Sequence, residues 1–175
     1  MMLLAAKPEH AAFILQLRQQ ERKSRYLSGQ VPSVAEQIAW MQKREKLPDD
    51  AYFVIFEVDK PDTPLGTIRL HDAIHEKNSI RVSSWVMVDG VAPKKTLEAL
   101  ALAIEYITQT QYTHCHFEVH QHSRSALDLY TKLGTQITGA TQNTFLLSCP
   151  PLLFLHNMQC VYHQPLPAIT GIEMP

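Results

Sequence analysis

The hydrophobic residues recur with two periods along the chain, one typical of strands and one typical of helices. Residues 51–58 are almost continuously apolar, which indicates a strand buried on both faces. Residues 79–88 predict another strand, whose alternation places Ile80, Val82, Ser84, Val86 and Val88 on one face and Arg81, Ser83, Trp85 and Met87 on the other. Residues 93–109 instead place apolar side chains every three to four positions, which predicts a long amphipathic helix.

The same reasoning along the whole chain predicts one strand, two helices, three strands, a helix, a strand, a helix and one or two final strands. This order indicates an α/β (α+β) fold in one domain, with a mixed central sheet of about six or seven strands and about four helices. We expect the domain to span residues 1–167 and residues 168–175 to form a flexible tail.

Four local expectations follow from the pattern. The first helix should end near Arg25, and Ser33 and Glu36 should form a capping box that begins the second. The polar residues 71–78 should form a loop. The apolar run 145–155 should be a core strand, or alternatively the surface of a homodimer.

Composition narrows the functional classes. The chain has a net charge of −1, 45% hydrophobic residues and 19% charged residues. Such a balance argues against a large basic surface for nucleic acid or for an acidic membrane. The three cysteines suggest neither a disulfide framework nor a zinc motif, and no apolar stretch reaches spanning length. We therefore expect a cytoplasmic protein with no nucleic-acid or membrane partner.

The junction at residues 86–96 is the first candidate for binding chemistry. A strand ends, Gly90 follows, and the next helix opens with Lys94, Lys95 and Thr96. The free N–H groups and the dipole of a helix N-terminus suit a phosphate, and the two lysines add positive charge. An ordinary strand–helix turn with a solvated basic first turn is the alternative.

The segment 123–135 carries a family resemblance. It reads Ser-Arg-Ser-Ala-Leu-Asp-Leu-Tyr-Thr-Lys-Leu-Gly-Thr, and Ala126, Leu129, Tyr130, Lys132 and Gly134 are in register with the closing helix of the GCN5-related N-acetyltransferases (GNAT superfamily). Residues 65–70 resemble the third strand of that family. Residues 36–40 and 51–55 resemble members that act on protein N-termini or nucleotide-linked amino sugars.

The resemblance implies an enzyme that transfers an acetyl (acyl) group from acetyl-CoA to a primary amine, on a small molecule of the amino-sugar type or on a peptide N-terminus. Tyr130 would protonate the departing thiolate. A base is also needed, and Glu118, His116, His71 and Asp72 are candidates, of which we select Glu118. The implied CoA-binding residues are Trp85, Val86, Met87, Val88, Gly90, Lys94, Lys95, Thr96, Ser123 and Tyr130.

The match has departures that keep a second interpretation open. The phosphate loop has one glycine and a proline, and Ser123 and Thr135 replace the family's usual asparagine and phenylalanine. A degenerate member that binds without catalysis is therefore an alternative.

A metal-dependent hydrolase is the third interpretation. His114, His116, Glu118 and His120 share one face of a predicted strand, and a His-x-His pair can hold a metal. His114 and His120 would lie about 20 Å apart on an extended strand, so one ion cannot bind all four. We expect no metal.

Overall fold

The computed structural model describes residues 1–19 and 32–162, and within them seven strands form one mixed sheet. The predicted helix end near Arg25 and the predicted tail lie outside the described residues. The strands are β1 (Met2–Ala5), β2 (Ala51–Phe56), β3 (Gly66–Ile74), β4 (Ser79–Met87), β5 (His114–His120), β6 (Gln136–Ala140) and β7 (Thr144–Cys149). Their order across the sheet is β1–β2–β3–β4–β5–β7–β6, and each neighbouring pair is antiparallel except the parallel pair β4 and β5.

Five α-helices accompany the sheet in the described part of the chain, where the sequence predicted about four. They are α1 (Ala11–Gln19), α2 (Val34–Arg44), α3 (Pro93–Thr108), α4 (Arg124–Lys132) and α5 (Pro151–Tyr162). Short 3₁₀ turns lie at Pro8–His10 and His75–Lys77. The predicted fold class, a mixed sheet flanked by helices, is confirmed.

The helices cover the two faces of the sheet with two separate cores. The larger core contains much of α3 and one face each of β3, β4 and β5, with Tyr130 and Leu133 from α4 and Phe154 from α5. The smaller core joins α1 to α2 through Ala11, Ile14 and Met41. The sheet is therefore the middle layer of three, and a cleft can form only where the outer helices leave it uncovered.

The predicted capping box fixes the start of α2. The Ser33 Oγ accepts a hydrogen bond from the Glu36 backbone N–H at 3.2 Å, and the Ser33 backbone N–H donates to Glu36 Oε2 at 2.7 Å. Because both ends of the box are satisfied, the first turn of α2 has a defined entry angle over the sheet. Gln37 and Trp40 follow on the side of α2 that faces the cleft described below.

Strands β4 and β5 diverge soon after they meet. In their parallel register, Ser79 pairs with His114, Ile80 with Cys115 and Arg81 with His116. The two strands continue to Met87 and His120. The sheet therefore opens between them, and the later half of β4 has no paired strand on its β5 side.

A β-bulge at Ser84 interrupts the alternation predicted for residues 79–88. Thr67 pairs with Val86 and Arg69 with Ser83, and Ser84 has a positive φ of 48°. The extra residue exchanges the two faces of the strand beyond it. As predicted, Ile80 and Val82 lie in the large core, but Trp85 and Met87 pack against the same core although the alternation had placed them opposite.

Two local expectations were wrong. The run 145–155 is not one strand, because β7 ends at Cys149 and Pro151 begins α5, where Phe154, Leu155 and Met158 are the buried face. A proline in the first turn starts a helix readily. The expected loop 71–78 is strand as far as Ile74, because cross-strand pairs with β4 hold His71 opposite Arg81 and Ile74 opposite Ser79.

Candidate functional site

The divergence of β4 and β5 creates a cleft of about 1300 Å³ that runs from α1 and α2 across the sheet to α4. Its walls combine side chains of β3, β4 and β5 with the start of α4. Of the predicted site residues, the lining includes Trp85, Val86, Met87, Glu118, Ser123 and Tyr130.

Tyr130 is held in place by aromatic packing. Its ring centroid lies 4.4 Å from that of Phe117 and 6.4 Å from that of Phe154, and the residue is only 8% exposed. Burial raises the pKa of Tyr130 well above its usual range. The hydroxyl therefore carries its proton throughout the neutral range.

Trp85 offers a second unused donor. Its indole Nε1 is buried and has no hydrogen-bond partner among the described residues. A buried N–H without a partner carries a free-energy cost in the fold. The sequence predicted Trp85 as a contact through its backbone, and the structure adds the side chain.

Val86, Met87 and Asp89 of the predicted phosphate-binding junction line the cleft, whereas Gly90, Lys94, Lys95 and Thr96 are outside its lining. Gly90 adopts a φ of 85° and is exposed, and Pro93 occupies the first position of α3. Lys94 is exposed, whereas the Lys95 Nζ lies 2.7 Å from Glu57 Oε2, and this hydrogen bond raises the pKa of Lys95.

Val88 and Thr96, two further predicted ligands in this region, already form hydrogen bonds within the fold. The Val88 N–H donates to the Leu65 carbonyl, and the Thr96 hydroxyl donates to the Ala92 carbonyl. Lys94 is thus the most accessible of the predicted phosphate ligands.

The opposite wall of the cleft carries a row of polar side chains from β3 and β4. Arg69 donates from Nε to Asp50 Oδ1 at 2.7 Å and from Nη2 to Asp50 Oδ2. Arg81 donates to both Asp72, at 3.2 Å, and Glu118. Glu118, the predicted base, is therefore ion-paired with Arg81, at a side-chain exposure of 39%.

His71 lies within this row. Its Nε2 is 2.6 Å from the Ser83 Oγ and its Nδ1 is 2.9 Å from Asp72 Oδ1. Burial lowers the pKa of His71, with Asp72 opposing that effect and Arg69 and Arg81 adding to it. Burial alone would raise the pKa of Asp72, but its contacts with His71 and Arg81 outweigh this and lower it.

His116 and His114 lie elsewhere on β5. The His116 Nδ1 is 2.7 Å from the Ser79 Oγ, and burial lowers the pKa of His116 to about 4. His114 Nδ1 lies 3.1 Å from the Thr113 hydroxyl. Neither histidine lines the cleft, and no group of three potential metal ligands is found in residues 1–19 and 32–162.

Sequence reasoning missed Arg69, Ser83 and Gln37 as cleft residues. Alternation could have found Ser83, because it shares a face with Arg81 and opposes the core residues of β4. Gln37 gave no such signal, since its place depends on the packing of α2 over the sheet, where the Arg69 guanidinium lies 4.7 Å from the Trp40 ring centroid. The family resemblance also implies an acceptor pocket formed by residues 18–30 and 71–78, and most of the first range lies outside the described residues.

Within the described ranges, no helix is both long enough and apolar enough to cross a membrane.

Comparison with known proteins gives consistent results. A family model described as "Acetyltransferase (GNAT) domain" matches residues 1–136. The fold is similar to apo FdhC, described as a nucleotide-linked sugar GNAT, with a TM-score of 0.80, 24% identity and 94% coverage of each chain.

Two further solved structures share the fold. One is a mutant of the spermidine N-acetyltransferase SpeG from Vibrio cholerae, with a TM-score of 0.74, 15% identity and coverage of 90% of this chain and 99% of that one. The other is a probable GNAT acetyltransferase from Chromobacterium violaceum, with a TM-score of 0.68, 15% identity and coverage of 87% and 88%. No curated protein matches the chain significantly.

Proposed function

Because the chain belongs to the GNAT family of acetyltransferases, we propose that it transfers an acetyl or related acyl group from acetyl-CoA to the primary amine of a nucleotide-linked amino sugar. The observation that carries this proposal is the cleft between β4 and β5, which brings an unpaired strand edge and a buried tyrosine hydroxyl into one cavity.

The unpaired edge of β4 suits the donor. Beyond Arg81 the strand has no neighbour on the β5 side, so its backbone groups there are available to the amide-rich pantetheine arm of CoA. One N–H of this edge, near Trp85 and Val86, would stabilise the oxyanion that forms when the thioester carbonyl is attacked.

Tyr130 acts as the general acid. When the C–S bond breaks, the CoA thiolate takes the hydroxyl proton of Tyr130, which is protonated throughout the neutral range. The packing of the ring against Phe117 fixes the hydroxyl without a hydrogen bond from the described residues, so its proton is free to move to the thiolate.

The charges that line the cleft support an anionic acceptor. Four arginines (Arg18, Arg44, Arg69 and Arg81) line it, against three carboxylates (Glu36, Asp89 and Glu118), and Asp50 and Asp72 outside the lining partly neutralise Arg44, Arg69 and Arg81. Guanidinium groups favour phosphate and disfavour a polycation such as spermidine. The similarity to FdhC, a GNAT for a nucleotide-linked sugar, supports the same acceptor class.

Two measurements test the proposal. Calorimetry should detect acetyl-CoA binding, and thiol release should be followed with UDP- and dTDP-linked amino sugars, spermidine and a peptide with a free N-terminus. We expect the nucleotide-linked sugars to give the highest kcat/KM. The same amino sugars without their nucleotides are the matched controls, and they should react much more slowly because the phosphates no longer bind the arginines.

The other outcomes each favour another interpretation. Preferred turnover of the peptide would support the N-terminal acetyltransferase, and preferred turnover of spermidine would contradict the argument from the cleft charges. Binding of acetyl-CoA with no turnover of any amine would support the degenerate binding protein. No binding at all would refute the assignment of the donor.

A further inference from the structure

Asp72, His71 and Ser83 form a continuous chain of polar contacts on the wall of the cleft. Asp72 Oδ1 approaches His71 Nδ1 to 2.9 Å as an ion-pair partner, without the alignment of a hydrogen bond, and His71 Nε2 lies 2.6 Å from Ser83 Oγ. His71 and Ser83 both line the cleft, whereas Asp72 is outside the lining and its side chain is 53% exposed. This is the order of groups by which a carboxylate orients a histidine and a histidine accepts a proton from a hydroxyl.

The backbone is irregular at both ends of this chain of contacts. Asp72 has a φ of 50° beside the bulge between His71 and Ile74, and Ser84 has a φ of 48° in the bulge that follows Ser83. A positive φ costs free energy for residues other than glycine, and such strain clusters at functional sites. One bulge therefore lies beside Asp72, and the other ends the regular pairing directly after Ser83.

Register explains why the histidine meets the serine. Arg69 pairs with Ser83 and His71 pairs with Arg81, so His71 and Ser83 are diagonal neighbours on one face of β3 and β4. Side chains in that relation are within reach of each other when one of them is long. The contact therefore follows from strand pairing and is fixed by the sheet.

The contacts also set the protonation state of the histidine. A carboxylate beside Nδ1 favours the tautomer that carries its proton there, so Nε2 is left to accept the Ser83 hydroxyl proton. His71 is 9% exposed, and burial lowers its pKa, so the ring is neutral at pH 7. Ser83 lines the cleft, where an amine can approach its Oγ.

We propose that Ser83, His71 and Asp72 form a proton relay that deprotonates the acceptor amine. This inference rests on the proposed function. As the amine nitrogen forms its bond to the thioester carbon, its proton passes to the Ser83 Oγ while the Ser83 proton passes to His71 Nε2. The C–S bond then breaks, the thiolate takes a proton from Tyr130, and the amide product leaves. His71 afterwards returns its proton to water, and Tyr130 regains one.

The surrounding charges support a relay that starts neutral. Arg81 bridges Asp72 to Glu118, so the proposed role of Glu118 here is to hold Arg81 against the end of the relay. Asp72 stabilises the imidazolium that forms during turnover. The nearby Arg69 and Arg81 lower the pKa of His71, which keeps the ring neutral before turnover. The charged and titratable groups around His71 are Asp72 and Arg69 on β3, Arg81 on β4, His116 and Glu118 on β5, Arg18 on α1 and Glu36 and Arg44 on α2.

Substitution of the relay tests the inference. With acetyl-CoA and the dTDP-linked amino sugar, His71→Gln and Ser83→Ala should each lower kcat by about 10²- to 10³-fold, the usual range for a general base. KM for acetyl-CoA should change little, because neither side chain binds the donor. Ser83→Thr keeps the hydroxyl and should keep most of the activity.

The pH profile separates a relay from a packing role. For the wild type, kcat/KM should fall only below pH 6.5, because the lowered pKa of His71 keeps its basic form present to lower pH. For His71→Gln this acid limb should disappear, and the residual rate should climb with pH as free amine accumulates. Nitrogen NMR of the wild type should show a neutral His71 ring protonated at Nδ1 at pH 7. Because this measurement uses the wild-type protein, it does not depend on whether a variant folds.

Ser79→Ala is the matched control. It removes a second buried serine–histidine contact of similar length, that of Ser79 with His116, which lies outside the cleft lining. This variant should retain wild-type kcat and pH profile.

Three outcomes would overturn the relay. One is a His71→Gln variant that keeps the wild-type kcat and acid limb. Another is a His71 ring protonated at Nε2. The third is an acetyl group on Ser83 detected by mass spectrometry, since the serine would then be a nucleophile. If the wild type binds acetyl-CoA but acetylates no amine, the proposed function fails, and the relay fails with it.

Discussion

The buried ion pair between Asp50 and Arg69 allows a quantitative test of the fold. Side-chain exposure is 3% for Asp50 and 9% for Arg69, and the guanidinium meets the carboxylate at both oxygens. Asp50→Asn removes the charge of one partner and leaves the arginine buried without its counter-charge. The penalty is therefore dominated by desolvation of Arg69 and not by the loss of one favourable contact.

The expected magnitude follows from that burial. Removing one partner of a buried pair costs about 3 to 5 kcal/mol, which lowers Tm by roughly 6 to 20 °C for a domain of this size. Arg69→Met should cost less, because Asp50 keeps a second cation in Arg44, whose Nη1 lies 3.6 Å from Asp50 Oδ2. Thermal and urea unfolding of each variant would measure these losses.

A double-mutant cycle completes the test. The double variant Asp50→Asn/Arg69→Met contains neither charge. Its loss of unfolding free energy should therefore be smaller than the sum of the two single losses. Asp62→Asn, a change to an exposed carboxylate, is the control and should leave Tm nearly unchanged. Additive single losses, or an Asp50→Asn variant within about 1 kcal/mol of the wild type, would refute the reasoning.

Tyr130→Phe should lower kcat by about 10²-fold or more while stability is retained, because the ring still packs against Phe117 and the hydroxyl has no hydrogen-bond partner among the described residues. Equal kcat in the variant would exclude Tyr130 as the acid. Because burial lowers the pKa of His116 to about 4, the unfolded chain binds more protons between about pH 6.5 and 4, so stability should fall as the pH falls through that window. Urea titrations should show a smaller fall for His116→Gln. Lys94→Ala should weaken acetyl-CoA binding more than Lys95→Ala, because Lys95 is already paired with Glu57; calorimetry showing the reverse order would contradict this.

The hydrophobic pattern predicted most of the fold because each element here has a clear period. The capping box at Ser33 and Glu36 is local chemistry and was therefore readable. The bulge at Ser84 was not, because no glycine or proline near it marks an extra residue in the strand. It is visible only in how β4 pairs with β3.

The candidate site shows the same contrast between local signals, which the sequence carries, and contacts that depend on strand pairing. Tyr130 was predicted from a motif and lines the cleft, while its catalytic role stays a prediction. The contact of His71 with Ser83 joins two strands through their register, and no spacing in the sequence encodes a diagonal pair. Residues 71–74 also looked like a loop, because His71 and Asp72 begin a largely polar stretch. They are in fact strand, and His71 lies on the cleft wall.

The bulge at Ser84 has a consequence for how specificity can change. Upstream of it, β4 contributes side chains to the proposed amine site, and downstream the same strand offers its backbone to the proposed donor. Side-chain substitutions upstream of the bulge therefore act on the amine site without touching the donor contacts, which use backbone groups that every residue possesses. The two halves of the strand can diverge independently, so a lineage can exchange one amine for another while it keeps the same acyl carrier.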